Sequence, residues 1–477
     1  MTTTTPSLTS LAEAASQAAT ALAAKLEKGR HPAPSFEQDG LADYPKDPEI
    51  IGLRMQLLDA TTDLYRLALG PTDSSFMGPL LVRGAISTLR KVELTADIQA
   101  FHDASVTNIL NQFNFWNAVP IDGSATYAEI AAQVNLPESI VRRVLKYAIS
   151  IRIFASVNGQ PDSVCHTSIS ALPARNPLYQ NWLRHLLEEA GPGSLHVAES
   201  LRKFSSGKQE PSQEPAESGF SLANVDKLDK PQTFWDYVNR EVEGKPKGWR
   251  SARFAECMQV AASASAIKTD DLIKSAYDWN KLGEATVVDV SHWEELHWLK
   301  YTDISQIGGS SGHDSTTIAQ AFPNLKFIVQ DLPQLRTSFD EQVPAEIKSR
   351  VEFEPHDFLQ AQNTKGDVYM LKMVLHDWPD EYAANILRHL VPHLERGSRV
   401  LLVEAVAPPD TAALPFATLS HMLNAADMHM LQFFNSQERS LQDWTNLLAK
   451  TDERLTFTYV SEVPGSVHQF LEVGLRT

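Results

Sequence analysis

The sequence predicts an α/β protein, a Rossmann-like, doubly wound sheet preceded by a mainly helical region that contains a winged-helix element. Two observations carry the prediction. From about residue 284 apolar runs alternate with helical patterns, and between residues 123 and 168 a helix–turn–helix rhythm runs into two short strand-like stretches. A sheet assembled from alternating strands and helices is parallel and presents its ligands at the carboxyl ends of the strands. At 477 residues, 43% hydrophobic and 21% charged, the chain is long enough for two or three domains of ordinary globular composition.

The bulk numbers exclude several classes of function. A formal charge of −17 argues against nucleic acid or an anionic membrane surface as the main partner. The two cysteines, Cys165 and Cys257, lie far apart with no CxxC or Cys/His spacing, so neither a disulfide framework nor a zinc site is expected. The first thirty residues carry Glu13 and Glu27 and lack a basic stretch leading into an apolar core, so no targeting peptide is expected. No apolar run approaches the roughly 18 residues that span a bilayer. The expectation is a soluble, cytoplasmic protein.

Taken in order, residues 1–48 read as an Ala-rich helix (8–28) and a flexible, Pro-containing segment. Residues 49–204 read as a helical, winged-helix domain that opens with the amphipathic run Ile50–Leu69, and further helices are expected across 77–118. In "GSATYAEIAAQVNLPESIVRRVLKYAISIRIFASV", Ser124 or Thr126 can cap one helix and Pro137 can open the next. Ile140, Val144 and Leu145 are expected on one face of that second helix, with "IFASV" and "SVCHTS" as the wing. Arg142, Arg143 and Lys146 are too few for a phosphate footprint, so a structural or dimer-forming use is expected rather than DNA reading. Residues 205–232 are polar and Pro/Ser-rich, a mobile loop, and 233–477 form the sheet domain.

In that domain "ATVVDV", "LKFIVQD", "VEFEP", "DVYMLKMVL" and "RVLLVEAVA" are the candidate strands. The glycine turn "GGSSG" (Gly308, Gly309, Gly312) has neither the dinucleotide spacing nor the Lys-Ser/Thr of a phosphate loop. Acids add to it. Asp289 ends the first strand, and Asp331 ends the second, 19 positions beyond Gly312, where a carboxylate meets ribose hydroxyls in this architecture. Asp357 follows the third strand, with Phe358 placed to lie against an adenine. Any one of these acids alone reads more readily as a helix cap. Three in register point to an adenosine ligand, and the lack of diphosphate chemistry points to S-adenosylmethionine.

The stretches "FPNLKFIVQDLP", "DVYMLKMVLHDWPDEYAANILRHLVPHL" and "RVLLVEAVAPP" resemble the caffeate-type O-methyltransferase family. The nearer resemblance is to fungal members that methylate polyketide and other secondary-metabolite phenols. It covers residues 50–477, and "LHDWPD" is its most diagnostic piece. A phenol is a poor nucleophile at neutral pH, so the site must supply a base and in-line positioning. The resemblance implies that His376, just past the fourth strand, is that base, flanked by Glu404 and Glu438. It places Lys372 near the cofactor and Trp378 at the methyl-transfer pocket, although an aromatic after a strand reads equally as core. It makes Phe254, Met258, Asn424, Asp427 and Met428 acceptor-pocket candidates, although each reads equally as a packing residue. Asp377 and Asp380 read as caps for the helix that follows. The resemblance further implies a homodimer, a small aromatic acceptor and no metal.

One feature departs from the family. Residues 290–306, seventeen in all, separate the strand "ATVVD" from the glycine turn. Without them the text becomes "ATVVDIGGSSGHDST", a continuous strand, acid and loop. Val290-Ser291 can be encoded by a splice-donor sequence, Gln306 by a CAG acceptor, and "YTD" (301–303) can hold a branch site. The segment therefore reads as a translated, retained intron. The alternative is a genuine surface excursion with "HWEELHWLKY" as a short helix. Retained in the folded chain, it is expected to bulge outward and weaken cofactor binding. A methyltransferase-like scaffold is then the rival function, ahead of a nicotinamide oxidoreductase and a DNA-binding regulator.

Overall fold

The computed structural model describes the chain except residues 1–6, 38–39, 42, 78–95, 225–231, 247, 264–268, 291–311, 332, 334–335, 411–413, 415, 462–467 and 477. Two compact units emerge, Met1–Leu187 with Leu414–His421, and Glu188–Ala413 with Met422–Thr477.

The first unit opens with three helices, α1 (Leu8–Lys28), α2 (Pro48–Met77) and α3 (Ala96–Gln112). Ser7 caps α1 through a reciprocal capping box with Ser10. After β1 (Ser124–Thr126), helices α4 (Tyr127–Val134) and α5 (Glu138–Ser150) lead into β2 (Phe154–Val157) and β3 (Gln160–His166). The strands form an antiparallel sheet in the order β1-β3-β2, the helix–turn–helix plus wing expected from sequence. Thr126, rather than Ser124, makes the cap, and Glu129 returns the bond. The face of α5 needs one correction. Val141, Val144, Leu145 and Ala148 are buried, whereas Ile140 is 39% exposed. The 3.6-residue period places 141, 144, 145 and 148 on one stripe and 140 beyond its edge.

The second unit carries the site. The helices α6 (Phe234–Asn239) and α7 (Trp249–Ser263) precede strands β4 (Ala285–Asp289), β5 (Leu325–Asp331), β6 (Val351–Pro355), β7 (Val368–Lys372) and β8 (Arg399–Ala405). All five coincide with the expected apolar runs. Helices α8 (His313–Ala321), α9 (Arg336–Gln342) and α10 (Asp380–Arg388) lie between them in sequence, and α11 (Ala417–Phe434) and α12 (Leu441–Thr451) follow. Two further strands, β9 (Leu455–Val460) and β10 (His468–Leu475), complete a seven-stranded sheet in the order β6-β5-β4-β7-β8-β10-β9. The first five pair in parallel, and β10 runs antiparallel between β8 and β9. Strands β4, β7 and β8 are nearly continuous buried residues, as a sheet covered on both faces requires. One face packs Val287, Phe327, Met370 and Leu401 into a core, and the other packs Val288, Tyr369, Leu371 and Leu402. The strand order reverses between β4 and β7, so their carboxyl ends diverge into the crevice where such sheets bind ligands.

Candidate active site

The carboxyl ends of β4, β5, β7 and β8 bring five of the sequence candidates to one edge. Asp289 and Asp331 end their strands fully buried. Asp289 Oδ2 accepts a hydrogen bond from Ser315 Oγ at 2.5 Å. The backbone carbonyl of Asp331 accepts from the His356 amide at 2.9 Å. Gly312 caps α8 at φ +75°, a conformation that favours glycine. A Cβ there would also crowd the Phe339 ring at 3.0 Å, so a side chain is disfavoured by both backbone and packing. Gly308, Gly309 and residues 291–306 of the insertion lie outside the described residues. Val290, its first residue, continues from β4 as a buried residue whose amide donates to the Met370 carbonyl at 2.8 Å.

The sequence passed over Asp314, in the first turn of α8. Its Oδ2 meets Lys372 Nζ at 2.5 Å, while its Oδ1 is buried with no hydrogen-bond partner. A buried carboxylate oxygen left open beside the glycine turn is an acceptor for an ammonium or a hydroxyl. With Asp289, Asp331 and the side-chain-free Gly312, the residues present fit an adenosyl amino acid.

His376 sits in a single 3-10 turn (Leu375–Asp377) after β7. Beneath the turn, Glu404 Oε1 accepts the amides of Val374 at 3.1 Å and Leu375 at 2.8 Å. Glu404 is fully buried and its second oxygen has no partner. Burial drives its carboxyl up to about 7 against the opposing pull of His376 and the two amides. Thus Glu404 fixes the turn through its backbone and acts on the imidazole through charge. Glu438 touches the ring itself, with Oε1 3.2 Å from Nδ1. On the far side Asp377 Oδ1 lies 3.5 Å from Nε2, so the cap reading of Asp377 gives way to a second carboxylate beside the ring. Burial alone would lower the imidazole pKa. Asp377, Glu438 and Glu404 together outweigh it and raise it to about 10. Burial raises Asp377 to about 6, with His376 pulling the other way.

A second histidine, His468 at the start of β10, also belongs to this edge. It pairs in register with Ala405, next to Glu404. Burial, then the positive charges of Lys372 and His376, push it down to about 4. No motif marks it in the sequence.

The remaining candidates are spread more widely. Phe358 and Trp378 are buried and meet edge to face at 6.0 Å within the core, so Phe358 packs on Trp378. Asp357 Oδ1 caps the Leu359 amide at 2.9 Å. Phe254 on α7 joins an aromatic cluster, 4.9 Å from Phe234 and 6.1 Å from Trp235, and Met258 on the same helix is half-buried. On α11, Asn424 and Met428 are exposed, while Asp427 Oδ1 accepts the Glu438 amide at 2.8 Å. Asp380 is no helix cap, because Pro379 occupies that position and the Asp380 carboxylate bonds Arg439.

Residues 254–452 match the O-methyltransferase domain family. The O-methyltransferase lcsG of Purpureocillium lilacinum is 32% identical over 456 residues, covering 94% of this chain and 89% of that protein. The O-methyltransferase aunD of Aspergillus niger is 30% identical over 387 residues, covering 80% and 82%. Among solved structures, OxaC in complex with sinefungin and meleagrin superposes with a TM-score of 0.67 at 18% identity, over 97% of this chain and 99% of that one. A structure described as a pericyclic reaction enzyme gives 0.64 at 18% identity, over 96% and 99%. At such identity these two likenesses show the fold alone. The relatives that span nearly the whole chain show the family: the chain belongs to the S-adenosylmethionine-dependent O-methyltransferases.

Proposed function

We propose that the chain methylates a phenolic hydroxyl of a small aromatic, polyketide-type secondary metabolite, with His376 as general base. The observation that carries the reading is the ring of His376 held at the sheet's carboxyl edge between Glu438 and Asp377. S-adenosylmethionine, when bound, supplies an electrophilic methyl on a sulfonium. Asp289, Asp331, Asp314, Gly312 and Lys372 are the residues that would hold it. His376 takes the phenolic proton as the oxygen becomes a nucleophile. Passing a proton from a phenol (pKa about 10) to an ordinary imidazole (about 6.5) costs about 5 kcal/mol. The surrounding carboxylates raise the imidazole to about 10 and remove most of that cost. The same shift leaves the ring protonated at neutral pH, so the base form grows as pH rises. Glu438, bonded at Nδ1, holds the ring's orientation and stabilises the imidazolium that forms.

The test is incubation with a deuteromethyl-labelled donor and a panel of hydroxylated naphthalenes, anthraquinones and benzoic acids, read by mass spectrometry. The reading expects a mass gain of one labelled methyl on a phenol oxygen. Labelled product on nitrogen or carbon only would contradict it. A second reading rests on the interruption at 290–306, which would leave a scaffold without cofactor affinity. Calorimetric titration with S-adenosylmethionine separates the two, because the scaffold gives no heat of binding. We propose, too, that residues 49–204 form the contact of a homodimer and 233–477 carry the chemistry. Light scattering that returned the mass of one 52.9 kDa chain would contradict the dimer.

A further inference from the structure

Four carbonyl and carboxylate contacts made by one buried cation converge on the turn that carries His376. Arg439 is fully buried, among the largest side chains to be so. Its Nη1 donates to the Leu375 carbonyl at 2.7 Å and its Nη2 to the Trp378 carbonyl at 2.8 Å. Its Nε and Nη2 both reach Asp380 Oδ1, at 2.9 and 2.6 Å. The guanidinium carbon lies 5.1 Å from the centre of the fully buried Trp444 ring.

We propose that Arg439 is a positioning residue for methyl transfer: it sets where the His376 ring stands by gripping the backbone on either side of it. The proposal rests on the reading of His376 as the base. The two gripped carbonyls, at 375 and 378, bracket residue 376. Ser436 closes the remaining gap, with Oγ within 2.6 Å of the His376 carbonyl and 2.9 Å of that of Trp378. From below, Glu404 holds the amides of 374 and 375. The turn is therefore held from both sides, its amides by β8 and its carbonyls by residues 436–439. The segment that grips it is also the one that presents Glu438 to Nδ1, so ring and partner are fixed by one piece of chain. Its register is set in turn by Ser440, which caps α12 in a reciprocal box with Asp443.

A guanidinium suits this task because its donors are fixed in a planar fork and it stays charged when buried. Asp380 offsets its charge, which an unpaired buried cation would require. Lysine at 439 would keep the charge but lacks the fork, so it can hold one of the two carbonyls well and not both. Displacement of a reacting group by about 1 Å costs about a hundredfold in rate.

The experiment compares Arg439→Lys and Arg439→Met with the parent in the full chain, using histidine labelled with carbon-13 at the ring. His376 is assigned by the signal lost in His376→Asn. The groups facing that ring are Asp377, Glu404 and Glu438, with Lys372 and His468 the neighbouring basic residues; Arg439→Lys leaves all of these and the charge paired with Asp380 in place, whereas Arg439→Met removes that charge. With the grip released, the ring moves off Glu438, and its titration falls by about one pH unit in Arg439→Lys, where the charge is kept. In Arg439→Met the loss of the cation pushes the titration the other way, so that variant reports on ring position through the loss of the His376–Glu438 shift pattern rather than through the titration alone. Affinity for S-adenosylmethionine stays within about threefold of the parent, since an energy change of about 0.6 kcal/mol is the most expected at the cofactor residues. The Lys variant decides, whether or not the Met variant folds. An Arg439→Lys protein whose His376 titrates within about 0.3 unit of the parent overturns the proposal. Full activity in His376→Ala would remove the base reading, and the ring titration would still decide what Arg439 does.

Discussion

Replacing Glu438 with glutamine removes a charge beside His376 while keeping shape and a hydrogen-bond acceptor. The Oε1–Nδ1 distance is 3.2 Å, and both side chains are 11% exposed, so solvent screens the pair little. Coulomb's law at an effective dielectric of about 20 gives roughly 5 kcal/mol at that separation, an upper bound. Asp377 remains 3.5 Å from Nε2 and keeps part of the field. A charge-assisted hydrogen bond of about 2 kcal/mol is therefore the working figure, equal to about 1.5 pH units. His376 starts at about 10, so it should titrate between about 8 and 9 in the variant. The assay is the pH dependence of kcat/KM with whichever phenol the parent methylates. Its acid limb reports the free enzyme's base. That limb should move to lower pH. The plateau should fall on the order of tenfold, because a weaker base drives proton transfer less well, and the deficit should close and reverse toward neutral pH, where a pKa lower by about 1.5 units raises the base fraction about thirtyfold. An acid limb that stays put, or moves upward, would refute the assignment of Glu438 as the ring's partner.

Other consequences follow from the same geometry. Lys372→Met strips the partner from Asp314, which is 1% exposed, and should cost about 3 kcal/mol in urea unfolding because a buried charge is left uncompensated. Asp314→Asn in that background should recover much of the loss. Glu472 is buried, yet bonds to Tyr277, Lys281 and Thr458 and the charge of Arg399 hold it down at about 2. A depressed acid stabilises the fold above its unfolded value of about 4.5 and stops doing so as pH falls through about 2. Glu472→Gln should therefore cost about 2 kcal/mol at pH 7, and the difference from the parent should vanish toward pH 2 in chemical denaturation. Deleting residues 290–306 joins Asp289 to Ile307 and the glycine turn. Calorimetry should find S-adenosylmethionine bound at least about tenfold more tightly by the shortened chain, and equal affinity would dismiss the insertion as a burden on the site.

The sheet was legible because buried parallel strands leave unbroken apolar runs, and all five such runs became strands. The two C-terminal strands were not read. "LTFTYV" alternates polar with apolar residues after α12, but only seven residues separate it from "HQFLEVGL", too few for a crossover helix, so the pair falls outside the strand–helix alternation that marks the parallel strands. The strand-end residues Asp289, Asp331, Lys372, His376 and Glu404 were readable because strand ends in this architecture converge wherever the chain runs. What escaped was the way they contact one another. Glu404 was expected beside the ring, but its oxygen bonds the amides of the turn, since those donors lose their ladder partners where β7 ends. Asp377 and Asp380 looked like helix caps because local spacing is all a sequence offers. Their partners, His376 and Arg439, are set by the turn and by a segment about 60 residues away. Asp314 and His468 carry no motif and become site residues only through the fold.

The most direct test of the central claim is single-turnover methyl transfer by His376→Ala, with S-adenosylmethionine affinity measured on the same sample. The account predicts affinity within a few-fold of the parent and transfer slowed by about a hundred- to ten-thousandfold, the contribution of a positioned base. Transfer at the parental rate, with the cofactor bound, would contradict it.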